Sequence, residues 1–429
     1  MVERPLPVIS GRLVGAAVVL LIALHAALGV DVISRLALCG DEAPHITDGY
    51  VHWSTGNREL DSATHAPLSS LWATLPLLFM RPMDYIEECG WDSKMPDSLV
   101  IDCTSRFIYH NRVPPLTMLW ATRLMILLSS LPLALAVLFY TRARANLWGG
   151  LAALFLYCLC PSILANATVV GMDEVFTLFF FLSCITVALF NQKPSIKTSL
   201  LAGSMLGLAV ASKGSAIFLP VILAGLCLYH AWFLKPPEQF RPRLRFGCLI
   251  VVAAFITLGA AYGWDPISFL RMLYAQTNHS VLRDATNVTM YFHGKYVSLN
   301  TLFILLNLLL KTPIPLMLLA GAGACVFIKN YRWSLSKGLD FIALSCLGTL
   351  VAAILLYKLQ IYNRYVLFMY PLFCVLGGAF LGRLLESAPR KIALPVLFVS
   401  LLTYAASSLK VHPYYFYSRI FVLALKSPI

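Results

Sequence analysis

Charged residues are scarce in this chain. Only 12% of its 429 residues are Asp, Glu, Lys or Arg, whereas 59% are hydrophobic. Soluble domains carry roughly 25% charged residues, so this composition excludes an ordinary soluble protein. The apolar residues gather in repeated runs of about 18 or more, the length at which a helix crosses a bilayer. The sequence therefore predicts an all-α, multi-pass membrane protein.

Signals for other classes of protein are missing too. The net charge is +13, but no Lys/Arg-rich block with interleaved aromatic residues indicates a nucleic-acid partner. No CxxC or Cys/His spacing indicates zinc. Eight of the eleven cysteines lie in or beside apolar runs, where we expect small core residues. Cys89 and Cys103 share a long polar loop, and a disulfide between them is possible if that loop faces an oxidising compartment.

The apolar runs predict about eleven transmembrane helices in one integral membrane domain, residues 1–429. They are expected at 12–35, 115–140, 147–165, 172–190, 197–212, 215–233, 246–263, 300–327, 339–357, 364–382 and 392–408.

The connections between these helices alternate in charge. Short basic segments, such as 141–144 and 191–197, are expected in the cytoplasm together with the N-terminus. The loop 37–114 and the tail 409–429 belong to the opposite, more acidic set and are expected outside. Within that loop, 66–80 is apolar but too short to span, which predicts a juxtamembrane or re-entrant helix.

The first cluster of unusual charges is the acidic pair Asp41-Glu42, with His45 three residues later. It follows directly on the first apolar run. A partly desolvated carboxylate beside a like charge should have a raised pKa, which suits a general base. The alternative is an ordinary acidic loop at the membrane interface.

A second acidic pair, Asp173-Glu174, is predicted on the same outer face as the first. Two acidic pairs on one face favour a functional site. The alternative is that Asp173 caps the helix that begins there. A divalent cation at Asp41 and Asp173 is possible, although their spacing does not imply one.

Three cations lie inside or at the edge of apolar runs. Lys213 and Lys311 need partners at such positions, unless they reach the headgroups by snorkelling. Arg364, followed by Tyr365, opens a predicted helix on the outer side, and a guanidinium suits bidentate contact with phosphate. Its alternative is headgroup anchoring. Paired carboxylates beside such cations fit a substrate with a phosphate and a lipid tail.

Six segments follow one another along the chain as motifs, namely "GDEAPHITDGYVHWSTGNRELDSATHAPLSSLWATLPLL", "WGGLAALFLYCLCPSILANATVVGMDEVFTLFFFLS", "GLAVASKGSAIFLP", "LLLKTPIPLMLL", "YNRYVLFMYPLF" and "KVHPYYFYS". In this order they resemble the motifs of bacterial membrane glycosyltransferases related to protein O-mannosyltransferases and the lipid A aminoarabinose transferase. The resemblance covers about residues 38 to 417. Ala66 and Phe368 stand where proline is usual in this group, which leaves the acceptor open.

This resemblance implies the glycosyltransferase-C fold and a polyprenyl-phosphate-sugar donor. It implies transfer by an inverting single displacement to a protein hydroxyl, a lipid or a polysaccharide, at the outer face of a bacterial plasma membrane. The implied site residues are Asp41 as base with Glu42 next; His45, His65, Asp173 and Glu174 for positioning; and Lys213, Lys311, Arg364 and Tyr365 at the lipid phosphate.

A transporter or flippase for a lipid-linked or small anionic substrate is the main alternative. Such a protein should gather its charges near mid-membrane on broken helices, often within an internal repeat. Here the charges gather toward one face and no repeat is evident, which favours the enzyme. A scaffolding protein of the envelope would not need two acidic pairs beside phosphate-suited cations.

Overall fold

The computed structural model describes residues 10–56, 65–89, 97–234, 240–282, 289–292, 295–298, 308–329, 338–357 and 363–415. This part of the chain is almost entirely helical, which confirms the predicted fold class. A short hairpin is the exception. Its strands β1 (Thr289–Phe292) and β2 (Lys295–Ser298) pair antiparallel.

Short 3-10 turns at Gly214–Ile217 and Asn363–Met369 precede two of the helices, and a π-helical turn, His230–Leu234, extends a third. The helices are α1 (Gly11–Arg35), α2 (Glu42–Thr55), α3 (Leu68–Thr74), α4 (Leu77–Met80), α5 (Ile86–Cys89), α6 (Asp97–Tyr109), α7 (Pro115–Arg144), α8 (Leu147–Cys158), α9 (Pro161–Asn166), α10 (Asp173–Gln192), α11 (Ile196–Ser212), α12 (Phe218–Tyr229), α13 (Phe240–Ala261), α14 (Pro266–Leu282), α15 (Ile314–Lys329), α16 (Leu339–Tyr357), α17 (Tyr370–Ser387) and α18 (Arg390–Leu409).

Within the described residues, seven helical segments are long and apolar enough to cross a membrane, and the chain is an integral membrane protein. Four shorter apolar helices occupy the other predicted spans, namely Leu147–Cys158, Ile196–Ser212, Ile314–Lys329 and Leu339–Ala352. The predicted span 300–327 lies partly outside the described residues, because the structure describes it only from 308 onward. The count of eleven and the inside-outside topology stay predictions.

The loop 37–114, which we call the first outer loop after its predicted side, contains more helix in its described residues than the sequence predicted. Two short helices, α3 and α4, occupy the range where we expected one, and Pro76, which lacks a backbone N–H, separates them. That they lie along the membrane stays a prediction. The helices α2 and α6 were not predicted at all. A disulfide joins Cys89 of α5 to Cys103 of α6, which settles the question left open by the sequence.

A hydrophobic cluster of its own holds this loop on the helical bundle. Ile46 of α2 and Phe107 of α6 pack with Met118 of α7 and Val175 of α10, all of them buried. Gly49 lets α2 approach α3 closely, since a Cβ there would lie 2.3 Å from the backbone oxygen of Ser70. The start of α2 is therefore fixed relative to α7 and α10.

Candidate active site

Asp41 lies at the N-cap of α2, immediately before the helix begins, but its side chain makes no capping hydrogen bond. Instead its Oδ2 accepts a hydrogen bond of 2.6 Å from Nη1 of Arg364. The Asp41 side chain is 61% exposed and that of Arg364 is 35% exposed. This contact joins the first outer loop to the 3-10 turn before α17, and it leaves the carboxylate open to solvent.

The environment of Asp41 lowers its pKa. Burial alone would raise the pKa, but the hydrogen bond and positive charge of Arg364 outweigh it, with further help from the nearby His45 and His65. The expectation of a raised pKa was wrong for this residue, because its closest charged partner is a cation and not the neighbouring Glu42. Asp41 is therefore ionised at neutral pH.

Glu42 points the other way, into the protein, and is fully buried. Its Oε1 accepts hydrogen bonds from Nε of Arg123 at 2.9 Å and from the backbone N–H of Val170 at 2.9 Å. Its Oε2 accepts from Nη2 of Arg123 at 2.6 Å and from the backbone N–H of Cys39 at 2.8 Å. Both carboxylate oxygens are thus fully engaged inside the protein.

Arg123 completes this buried contact and was missed in the sequence. Only 1% of its side chain is exposed, and it also donates to the backbone oxygens of Leu36 and Ala37 at 2.7 and 2.8 Å. One arginine of α7 therefore holds the end of α1 and the start of α2 together. A charge in the apolar run "LWATRLMILL" was the available signal, because an arginine at such a depth needs a partner.

Cys39 has a structural place in the same turn. Its backbone N–H is one of the donors to Glu42. Burial, together with the nearby charge of Glu42, raises the pKa of its thiol to about 11, so the thiol is neutral at physiological pH. The described contacts of Cys39 thus support the turn that precedes Asp41.

The second acidic pair supplies a second ion pair. Asp173 is the first residue of α10, and its Oδ1 lies 2.5 Å from Nζ of Lys213, in the extended link after α11. Their side chains are 12% and 8% exposed. Asp173 lies in the first turn of α10, and the bond that its side chain makes is the one to Lys213. This ion pair supplies the partner that Lys213 was expected to need.

Both cations contact the ring of Tyr365. Nζ of Lys213 is 4.6 Å from the ring centroid and Cζ of Arg364 is 5.3 Å from it. Both distances are in the range of cation–π attraction. Asp41, Arg364, Tyr365, Lys213 and Asp173 thus form one continuous series of contacts, which we call the charge chain. Headgroup anchoring, the alternative for Arg364, does not account for its bond to Asp41.

The other predicted site residues lie at different distances from the charge chain. The rings of His45 and His65 meet edge to face, with centroids 5.3 Å apart, and their charges reach Asp41. Glu174 is fully buried beneath Asp173, and its Oε1 accepts a hydrogen bond of 3.3 Å from the hydroxyl of Tyr157. The two members of each acidic pair therefore face different surroundings.

Lys311 lies in the short helical segment 308–311, two residues before Pro313. The hydroxyl of the next residue, Thr312, is hydrogen-bonded to that of Tyr370 at 2.9 Å. This contact connects the Lys311 segment to the first residue of α17. It brings Lys311 toward the end of α17 that follows Arg364 and Tyr365.

The described residues include no group of three or more His, Cys, Asp or Glu side chains that could hold a metal ion. Asp41 and Asp173, which the sequence left open as cation ligands, are each matched by a basic side chain in the charge chain. As it stands, the charge chain offers two cations and an ionised, exposed carboxylate. That combination can bind an anion and accept a proton beside it.

Comparison with known proteins gives one family model and several solved structures. The family model for dolichyl-phosphate-mannose-protein mannosyltransferase matches residues 117–260, which is less than half of the chain. No curated protein sequence matches the chain significantly.

Solved structures match over most of this chain. The apo structure of ArnT from Cupriavidus metallidurans has a TM-score of 0.60 at 15% identity and covers 92% of this chain and 64% of its own. ArnT bound to undecaprenyl phosphate has a TM-score of 0.54 at 14% identity, covering 92% and 65%. AglB, the oligosaccharyltransferase of Archaeoglobus fulgidus, in complex with an inhibitory peptide and a dolichol-phosphate, has 0.52 at 13%, covering 91% and 56%.

At these identities the likeness is one of fold. The chain has the fold of the glycosyltransferase-C membrane enzymes, so the resemblance drawn from its motifs is confirmed at that level. Among these proteins it is similar to ArnT and AglB, and it spans less than two thirds of the length of either.

Proposed function

We propose that this protein is a membrane glycosyltransferase that moves a sugar from a polyprenyl-phosphate donor to an acceptor at the outer face of the membrane. The observation that carries the proposal is the charge chain, in which Lys213 and Arg364 both contact Tyr365 next to the exposed carboxylate of Asp41. Support comes from the fold, since ArnT has been solved with undecaprenyl phosphate and AglB with a dolichol-phosphate.

In this reaction Asp41 acts as the base. It takes the proton from the acceptor hydroxyl while the acceptor oxygen bonds to the anomeric carbon of the sugar. The bond from that carbon to the phosphate oxygen breaks, and its electron pair leaves with the lipid phosphate. Lys213 and Arg364 stabilise the growing negative charge there. A single displacement of this kind inverts the anomeric configuration.

Glu42 has a positioning role in this proposal and does not act as the second base. Its two oxygens carry four hydrogen bonds inside the protein, so neither is offered to an acceptor. Through Arg123, Glu42 fixes the turn from which Asp41 projects. His45 and His65, whose charges reach Asp41, border the side from which an acceptor approaches.

The second acidic pair serves the donor side in the same proposal. Asp173 holds Lys213 against the ring of Tyr365, which sets the distance between the two cations. Glu174 supports the start of α10 from beneath, through its bond with Tyr157. Lys311 completes the phosphate side as a third cation, on the segment tied to α17.

The site faces the outside in this proposal, in a bacterial plasma membrane. The alternation of basic and acidic connections supports that orientation. The disulfide between Cys89 and Cys103 supports it independently, since disulfides persist in oxidising compartments. The acceptor is a protein hydroxyl, a lipid or a polysaccharide, all of which offer the hydroxyl that Asp41 would deprotonate.

Replacing Asp41 with Asn tests the assignment of the base. We expect transfer from a labelled polyprenyl-phosphate sugar to fall by about 10²-fold or more, while the protein still folds and inserts. Asp31→Asn is the matched control, because Asp31 also pairs with an arginine near the outer end of α1, outside the charge chain. Near-normal transfer by Asp41→Asn would remove Asp41 as the base.

Cysteine labelling tests the proposed face. A cysteine in place of Tyr109, which is exposed at the end of α6, should react with an impermeant maleimide on intact cells. A cysteine in place of Lys193, in a predicted cytoplasmic connection, should react only after permeabilisation. The reverse pattern would overturn the orientation and the proposed site with it.

A further inference from the structure

Two of the three cations that the proposed function assigns to the donor phosphate already have carboxylate partners in the charge chain. Lys213 is paired with Asp173, and Arg364 is paired with Asp41. A donor phosphate that binds there must share or displace these carboxylates. The base and the leaving group therefore compete for the same arginine.

The two ion pairs differ in how readily they can separate. The Lys213–Asp173 pair is almost completely buried, and the rings of Phe176 and Tyr365 lie on Lys213 at 5.7 and 4.6 Å. The Arg364–Asp41 pair is partly exposed, with a hydrogen bond of 2.6 Å between the two side chains. Water can replace an exposed partner at little cost, whereas a buried charge without its partner is expensive. Arg364 is thus the cation that can change partners.

We propose that Arg364 couples the two halves of the transfer, holding Asp41 before the reaction and passing to the lipid phosphate as Asp41 takes up the acceptor's proton. This inference rests on the proposed function and adds a regulation of the same site. It makes Arg364 a link between proton removal and bond breaking, in addition to a ligand of the phosphate.

The charges balance at each step of this exchange. Before transfer, Asp41 carries one negative charge and the donor phosphodiester carries one. When the acceptor's proton moves to Asp41, the carboxylate becomes neutral and loses its hold on the guanidinium. When the glycosidic bond to phosphate breaks, its electron pair stays on the phosphate oxygen, and the phosphate gains a second negative charge. The guanidinium therefore moves from the anion that loses charge to the anion that gains it.

An arginine suits this exchange better than a lysine would. Its planar guanidinium has five N–H donors and can bridge two oxyanions, whereas an ammonium is a compact point charge. Tyr365 supports the guanidinium from one side at 5.3 Å, which restricts its motion to the neighbourhood of the ring. Lys213, whose Nζ is 4.6 Å from the centroid of the same ring, keeps a positive charge at the phosphate throughout.

Binding of the lipid product without any sugar gives the first test. Purified protein in detergent would be titrated with undecaprenyl phosphate, and affinity would be measured by microscale thermophoresis. We expect Asp41→Asn to bind this lipid about three- to tenfold more tightly than the wild type, because the carboxylate of Asp41 no longer competes for Arg364. The control Asp31→Asn should bind like the wild type. Equal or weaker binding by Asp41→Asn would overturn the proposal.

A double-mutant cycle identifies the residue for which the two anions compete. In an Arg364→Gln background, Asp41→Asn should give no gain in affinity for undecaprenyl phosphate. If the gain persists without Arg364, the effect is a general reduction of negative charge, and the coupling is refuted. This binding measurement requires no transfer activity, so its outcome is independent of whether the proposed reaction takes place.

Kinetics of Arg364→Lys supply a readout that a purely structural role would not move. The positive charge remains, so KM for the polyprenyl-phosphate sugar should change by less than about threefold, while kcat falls by about 10-fold or more because a point charge cannot serve both anions. Arg35→Lys, at the Arg–Asp pair of α1 that lies outside the charge chain, should leave both constants unchanged. A change in KM alone would refute the coupling. No transfer by the wild type with any acceptor would instead refute the proposed function.

Discussion

Replacing Glu42 with Gln tests the buried contact that positions the candidate base. The shape of the side chain is kept, but its charge is lost, and one carboxylate oxygen becomes an amide that faces N–H donors. Arg123, with 1% of its side chain exposed, would remain charged without a carboxylate. Removing one partner of a buried ion pair costs about 3–5 kcal/mol. We therefore expect a marked loss of stability although a single atom changes identity.

The melting temperature of the purified protein gives the measurement. At about 2.1 cal/mol/K per residue, a chain of 429 residues has an unfolding entropy of about 0.9 kcal/mol/K, so the melting temperature should fall by about 3–6 °C. Differential scanning fluorimetry in detergent resolves such a shift. Glu386→Gln, an exposed glutamate of α17, is the control and should change little. A melting temperature within one degree of the wild type, about the resolution of the assay, would refute the reasoning.

Three further predictions concern the surroundings of that contact. Gly49→Ala should push α2 away from α3, which costs about 1–3 kcal/mol of folding free energy, and should therefore lower both the melting temperature and the transfer activity. Gly15→Ala should be neutral, because a Cβ there meets open space. Cys89→Ser opens the disulfide, worth about 3 kcal/mol, and should speed hydrogen exchange in α5 and α6. Because Arg364 lowers the pKa of Asp41, the transfer rate should not depend on pH down to about pH 5. In Arg364→Gln the pKa of Asp41 should be higher, so the rate should begin to fall at a higher pH.

The membrane-spanning part of the fold could be predicted because its signal is local. A run of about 18 apolar residues with no charge has few alternatives to a spanning helix. The same logic found Asp173, Lys213 and Arg364, since a charge at the edge of such a run is costly and needs a reason. The same reasoning applied to Arg123, which was overlooked because its apolar run was already assigned to a membrane-spanning helix.

The helices of the first outer loop could not be predicted in the same way. The segment that forms α2 contains Pro44, Gly49 and two histidines, and its hydrophobic residues show no strong helical period. Its helical state depends on distant packing, in which Ile46 and Tyr50 are buried in a cluster with Phe107 of α6. Tertiary contacts of this kind override local propensity, and no local pattern announces them.

The partner of each charged side chain could not be predicted either, and here the expectation from the sequence differed most from the structure. Adjacent acids suggest two like charges that share one environment and raise each other's pKa. Successive residues at a helix start, however, point about 100° apart, so Asp41 projects outward to Arg364 while Glu42 projects inward to Arg123. Because the two residues stand where a helix begins, Asp41 is placed for chemistry and Glu42 anchors the turn. The buried Glu42 holds the exposed, ionised Asp41 in place, and each carboxylate pairs with the arginine that lies in the direction in which its side chain points.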